Sequence, residues 1–236
     1  MASFLSSIIS NLLKDHPDLS AFTFILPSRR AGALLKKEIS LTINKPVFSP
    51  EVVNIEEFTE KISGLSTIDN TTSLFEFYSI YEKLTPREEL EEFDTFSTWA
   101  QTLIHDFNEI DRYLIPPDKI FDYLSEIQDI NHWSLAAEKT QLVKNYLAFW
   151  RKLPQYYDEL TRNLLEKQEG YQGLIYRMAA EKIESFAPGN APSHVFIGFN
   201  ALNNAEQKIL QKMLEHGSRV FWDIDEVHFN DKDHDA

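Results

Sequence analysis

Apolar residues follow two rhythms along this chain. Near both ends they come in short unbroken runs, and through the middle they recur every three or four positions. Phe22-Thr-Phe-Ile-Leu26 is a run of β-formers that stops at Pro27, which predicts a strand. Ser28 is placed to cap a helix from Arg29 to about Leu41, with Leu34, Leu35 and Ile39 on one face. Pro46–Pro50 and Glu51–Val53 read as a second extended segment. Asn54 with Glu57 three residues later is close to a capping box, and it opens a short helix, Ile55–Ser63, that Gly64 ends. The same alternation returns after Pro188-Gly-Asn-Ala-Pro192. His194–Phe199 predicts a buried strand, Ile209, Leu210, Met213 and Leu214 mark a helix face that Gly217 closes, and Arg219–Ile224 predicts another strand.

From about Thr71 to Phe186 almost no strand pattern is visible, and the stretch holds only two glycines, Gly170 and Gly173. Helical spacing predicts Thr71–Leu84, then a long helix to about Tyr113 that Asp94 could cap. A helix led in by Pro116 and Pro117 follows, to about Ile127. Ala137–Leu153 reads as a helix ended or kinked at Pro154, with a further helix to about Gln168 and a last one over Leu174–Phe186.

Strand–helix–strand at both ends is the unit of a parallel sheet. The expectation is therefore an α/β core interrupted by a large all-α insertion, divided as 1–68, 69–190 and 191–236. Three separate domains are the alternative. One shared sheet is preferred because either end alone is small for a stable core.

Composition narrows the chemistry. There are no cysteines among the 236 residues, which excludes disulfides and thiolate chemistry and fits a reducing cytoplasm. The net charge of −14 repels nucleic acid at long range, so any DNA contact has to be local. Met1–Leu13 is apolar on one side, with Phe4, Ile8, Ile9, Leu12 and Leu13, but has no basic leader and reads as an amphipathic helix. No apolar run approaches the ~20 residues a membrane span needs, so no membrane partner is expected.

Against that acidic background Ser28–Lys45 carries five basic residues and one acid, Glu38. Ser28, Arg29 and Arg30 stand where a strand runs into a helix, a place that binds phosphate through free N–H groups and charge, and Lys36, Lys37 and Lys45 extend the basic strip. A capped helix with a solvated basic face is the plainer reading. Asn200 closes the next strand, where an ATPase would carry an acid. No G-x-x-x-x-G-K-[ST] loop occurs, so ATP hydrolysis with Mg²⁺ is not expected of this chain.

Asp223, Asp225 and Glu226 form an acid group that reads as a polar strand exit before it reads as a metal site. Glu88–Asp94 reads as a run that caps and solvates a helix. The histidines lack metal-ligand spacing. Tyr171–Arg177 offers aromatic and Arg side chains for stacking on bases, against the plainer role of a helix-packing corner.

Four segments carry a resemblance: Phe24–Gly32, Phe48–Phe58, Tyr171–Arg177 and His194–Leu202. Together they resemble the N-terminal region of AddB-like subunits of bacterial helicase–nucleases, in the form found in Bacteroidetes-type proteins. The likeness spans nearly the whole chain in short motifs.

The resemblance implies a RecA-like, superfamily-1 helicase core with an all-helical insertion. Leu26–Ala31 would be the segment that touches single-stranded DNA, and Val195–Asn200 would lie at the Walker B position without its acid. It implies a non-hydrolysing module for double-strand-break repair. Ser28, Arg29, Arg30, Lys36, Lys37 and Asn200 would contact single-stranded or broken double-stranded DNA beside an AddA-like motor subunit. The family's PD-(D/E)XK nuclease, its Mg²⁺ and any iron–sulfur cluster would lie outside this chain. A rival expectation is a protein–protein scaffold that binds a motor subunit without touching DNA.

Overall fold

A computed structural model describes residues 3–43, 45–124 and 141–224. The chain folds as two compact units: Met1–Ser63 with Met178–Ala236, and Gly64–Arg177. The later boundary falls inside a helix, upstream of residue 190 where the sequence reading sets it.

Among the described residues the first unit is built on four parallel strands: β1 (Thr23–Leu26), β2 (Glu51–Asn54), β5 (His194–Phe199) and β6 (Arg219–Trp222), in the order β2-β1-β5-β6. Thr23 to Leu26 pair with Glu51 to Asn54 on one side, and Thr23 to Ile25 pair with His194 to Phe196 on the other. The two distant ends of the chain therefore share one sheet, as the repeated strand–helix–strand pattern predicts.

Because side chains alternate across a strand, Phe24, Leu26, Val195 and Ile197 face one way. They pack with Ile8, Ile9 and Leu12 of α1 (Phe4–Asp15) and Leu35 and Ile39 of α2 (Arg29–Thr42). Phe196 on the opposite face meets Phe58 of α3 (Ile55–Ser63) at 5.6 Å, and Phe58 meets Phe186 of α8 (Gln172–Asn190) at 5.8 Å. Lys212 of α9 (Asn204–Glu215) pairs with Glu184 of α8 at 3.0 Å, so α9 lies on that second face. Right-handed crossovers require this split: β1→β2 and β5→β6 step in opposite directions across the sheet.

Local signals behave as written in the sequence. Asn54 accepts from the Glu57 amide at 2.7 Å while Glu57 accepts from the Asn54 amide at 3.1 Å, a complete capping box. Gly64 and Gly217 leave α3 and α9 with φ of 72° and 102°, which favours glycine. Leu34 and Leu214 depart from expectation: both are exposed, because the buried stripes of α2 and α9 run through Gly32, Leu35 and Ile39 and through Ile209, Leu210 and Met213.

The second unit is helical. It contains α4 (Asn70–Leu84), α5 (Phe93–Arg112), a segment α6 helical over 117–124, α7 (Gln141–Glu166) and the first turns of α8. The buried Phe77 sits among Phe96, Trp99, Phe107 and Tyr156 at 5.2–6.2 Å, edge to face.

Three expectations are corrected here. The helix does not end at Pro154. α7 runs through it, held by the buried Leu153, Tyr156, Tyr157, Leu160 and Leu164, so packing outweighs the one lost backbone bond. Asp94 is not the cap of α5. Glu92 occupies that position without a side-chain bond, and the acid run is strapped down instead: the Tyr78 and Tyr81 hydroxyls donate to the Glu91 and Glu89 carbonyls, and the Trp99 indole donates to the Glu91 carboxylate at 2.9 Å. Finally, Ser66–Thr67 (β3) and Glu169–Gly170 (β4) pair as a two-residue parallel ladder, too short to leave a period in sequence.

Candidate functional site

Strand order reverses between β1 and β5, since one connection leads to β2 and the other to β6. In open α/β sheets the crevice at such a reversal, outside the carboxyl ends of the strands, is where ligands bind. Four helices begin around this edge or are capped there: α1 at Ser3, α2 at Ser28, α3 at Asn54 and α9 at Asn203. Glutamates stand in the first turns of α3 and α9 and offset their positive ends, whereas α1 and α2 have no acid there.

Ser28 leads β1 into α2, and its hydroxyl accepts from the Ala31 amide at 3.2 Å. Arg29 and Arg30 are exposed at the same point. The Arg29 Nε lies 3.2 Å from Glu57 Oε1, so the arginine nearest the strand end already has a carboxylate beside it. Across the crevice β5 ends in a bulge. Ile197 pairs with Phe221 and Phe199 with Trp222, which leaves Gly198 unpaired at φ 80°. A bulge with a left-handed glycine re-aims the residues after it, here Phe199 and the exposed Asn200.

The loop then delivers Asn203, 6% exposed, whose Oδ1 accepts from the Glu206 amide at 2.9 Å. Its Nδ2 is a buried donor with no acceptor among the described residues. Asp223 follows β6, its amide donating to the Phe199 carbonyl at 3.3 Å.

The fold thus brings Ser28, Arg29, Arg30 and Asn200 to one edge. Lys36 and Lys37 are exposed on α2, but two turns on, ~10 Å along the axis from Arg29. Asp225 and Glu226 lie outside the described residues, so the acid group after β6 has no described geometry. Sequence reasoning missed Glu57 as the counter-ion of Arg29, and it missed Asn203. The Asn203-x-x-Glu206 spacing is the signal that finds the cap.

Tyr171–Arg177 takes the packing role in full. Asp111, fully buried in α5, accepts from the Tyr157 and Tyr171 hydroxyls and from the Arg177 Nε, each at 2.5 Å. The Arg177 Nη2 also donates to the carbonyls of Ile110 and Ile115. Burial, then the Asp111 charge, push both phenols far above their ordinary range, which keeps them donors. Burial also raises the Asp111 carboxyl, against the pull of Tyr157, Tyr171 and Arg177. Gly173 approaches α5 so closely that a Cβ would lie 2.2 Å from the Asn108 carbonyl oxygen. The rings of Tyr171 and Tyr176 are buried, so neither can stack on a base.

At the other end of the sheet His194 is buried. Its Nδ1 lies 2.7 Å from the Asn190 carbonyl, a bond that requires the proton on Nδ1, and Nε2 has no partner among the described residues. Burial holds this imidazole below its ordinary pKa.

Among the described residues no helix is long and apolar enough to cross a membrane, and no three His, Asp or Glu side chains gather as a metal-ligand group. No protein-family model matches the chain, and no curated protein matches it.

Proposed function

We propose that this chain is a degenerate, non-hydrolysing helicase-like module of a cytoplasmic DNA double-strand-break repair helicase–nuclease, with a RecA-like core of superfamily-1 type, and that it holds or scans a DNA strand beside an AddA-like motor subunit. The observation that carries the reading is the direct pairing of β1 with β5, which sets Ser28, Arg29 and Arg30 from one end of the chain beside Asn200 from the other at a strand-order reversal. Capped-helix amides and two arginines suit backbone phosphates, which give affinity without reading sequence. The absence of a phosphate loop from the sequence supports a passive role.

Fluorescence titration with single-stranded DNA at low salt tests this. Binding is expected, with a loss of about tenfold in Arg29→Ala/Arg30→Ala and a shallower salt slope. No binding, or binding unchanged in the double variant, sinks the contact assignment.

One observation favours the scaffold reading instead: Arg29 is already paired with Glu57 in a chain of net charge −14. Co-purification of a motor subunit by the whole chain, with no DNA affinity, decides for it.

A further inference from the structure

The sheet of the first unit ends in two unlike edges. β2 starts directly after Pro50, and its first residue, Glu51, carries a charge that Lys61 holds at 3.3 Å. Proline and charge guard an edge strand against further pairing. At the opposite edge Val220, Phe221 and Trp222 run without either. β1 and β5 are buried almost throughout, whereas Val220 and Phe221 are half-buried and Trp222 is exposed.

The N–H and C=O groups of successive strand residues point to opposite sides. The Asp223 amide bonds the Phe199 carbonyl of β5, so Phe221 is aimed at β5 as well, and Val220 and Trp222 turn theirs to the open side. Among the described residues no strand pairs with them there. A row of open backbone donors and acceptors is complementary to another extended strand.

The side chains identify that strand. Laid antiparallel to itself about Phe221, Arg219-Val-Phe-Trp-Asp223 sets Arg219 opposite Asp223, Val220 opposite Trp222, and Phe221 opposite its own copy. Outward groups then meet outward groups: Val220 of each strand exchanges both N–H···O=C bonds with Trp222 of the other. A slip of one residue sets outward groups against inward ones and loses the ladder. Among the described residues Arg219 bonds the His16 imidazole at 2.8 Å but has no carboxylate, and Asp223 has no cation. Each supplies what the other lacks.

We propose that β6 is a self-association edge, through which two copies of this chain pair antiparallel over Arg219–Asp223 and join their sheets across a twofold axis. Such a contact is isologous, so each ion pair is made on both sides of the axis. It is small beside the ~1,200 Å² of a standard interface, and the dimer is therefore weak and concentration-dependent. Two chains of net charge −14 repel at long range, but physiological salt screens that repulsion beyond about 8 Å, and the facing charges lie closer. The inference does not rest on the DNA reading, whose contacts come from β1, α2 and β5.

Sedimentation equilibrium of the whole chain from about 1 µM to about 1 mM, at ~0.15 M salt, tests it. A monomer–dimer equilibrium is expected. Val220→Pro removes an outward N–H and leaves the ladder to β5 intact, so it should give a monomer with unchanged far-ultraviolet circular dichroism. Arg219→Asp and Asp223→Arg each set like charges opposite one another and should weaken the dimer about tenfold. Mixed in equal amounts, these two variants face each other with opposite charges at both positions and should regain the parent's affinity. A parent chain that stays monomeric at ~1 mM overturns the proposal. So does a dimer that survives Val220→Pro, which would put the contact on another surface, and so does a mixture of the folded charge variants that associates no more tightly than either alone.

Discussion

The two units differ in where their most connected polar side chains lie. In the helical unit they form a buried hub: Asp111 accepts from three donors carried by α7, the β4–α8 junction and α8. The acid strap is likewise held by tyrosine and tryptophan donors. In the sheet unit Ser28, Arg29, Arg30 and Asn200 are exposed at the strand ends. Buried polar groups that satisfy one another specify a packing arrangement, whereas polar groups exposed at a strand edge remain available to a ligand. The contrast assigns the architecture of the helical unit to stability and points to the strand ends for recognition.

Perturbing the hub should give the largest effect. Asp111→Ala leaves the half-buried Arg177 without its carboxylate and two buried phenols without an acceptor, so a loss of about 3–5 kcal/mol is expected in urea unfolding. A loss near that of an exposed pair would show that the hub is not what orders the helices. Gly173→Ala forces a methyl into the Asn108 carbonyl and should cost about 1–3 kcal/mol, read as a lowered melting temperature.

In the sheet unit the sensitive group is His194. Its folded pKa lies below the ordinary 6.5, so the unfolded chain takes the proton first. The stability it contributes is present above pH 6.5 and is lost as pH falls below that value. Urea midpoints at about pH 7.5 and about pH 5.5 should differ more for the parent chain than for His194→Gln. Equal differences would remove this residue from the account. The smallest effect is the most specific: Glu57→Gln keeps the capping box but releases Arg29, and it should tighten single-stranded DNA binding about twofold to threefold. An unchanged affinity would mean that Arg29 does not reach the strand.

Much of the fold was legible because its signals are local. Pro27, Ser28, Asn54 with Glu57, Gly64 and Gly217 each act on the backbone within a few residues, so strands and helix starts stood where the chain wrote them. The heptad phase of α2 was less legible: Leu34 and Leu35 are both leucine, and only contact with the sheet decides which one turns inward. Pro154 misled for the same reason, since a proline's local penalty is visible in sequence and the packing that overrides it is not. The two-residue ladder β3–β4 joins segments about a hundred positions apart and has no local signature.

By itself, the sequence determined the α/β character of the two ends, the helical middle and the basic strip at the start of α2. It did so because hydrophobic period, caps and charge are properties of neighbouring residues. Only the tertiary structure decided that β1 and β5 lie side by side, that Glu57 answers Arg29, that Asp111 binds Tyr171 and Arg177, and that Leu34 and Leu41 face outward. Each of these depends on contacts between segments far apart in the chain, which form only when the hydrophobic faces close against one another.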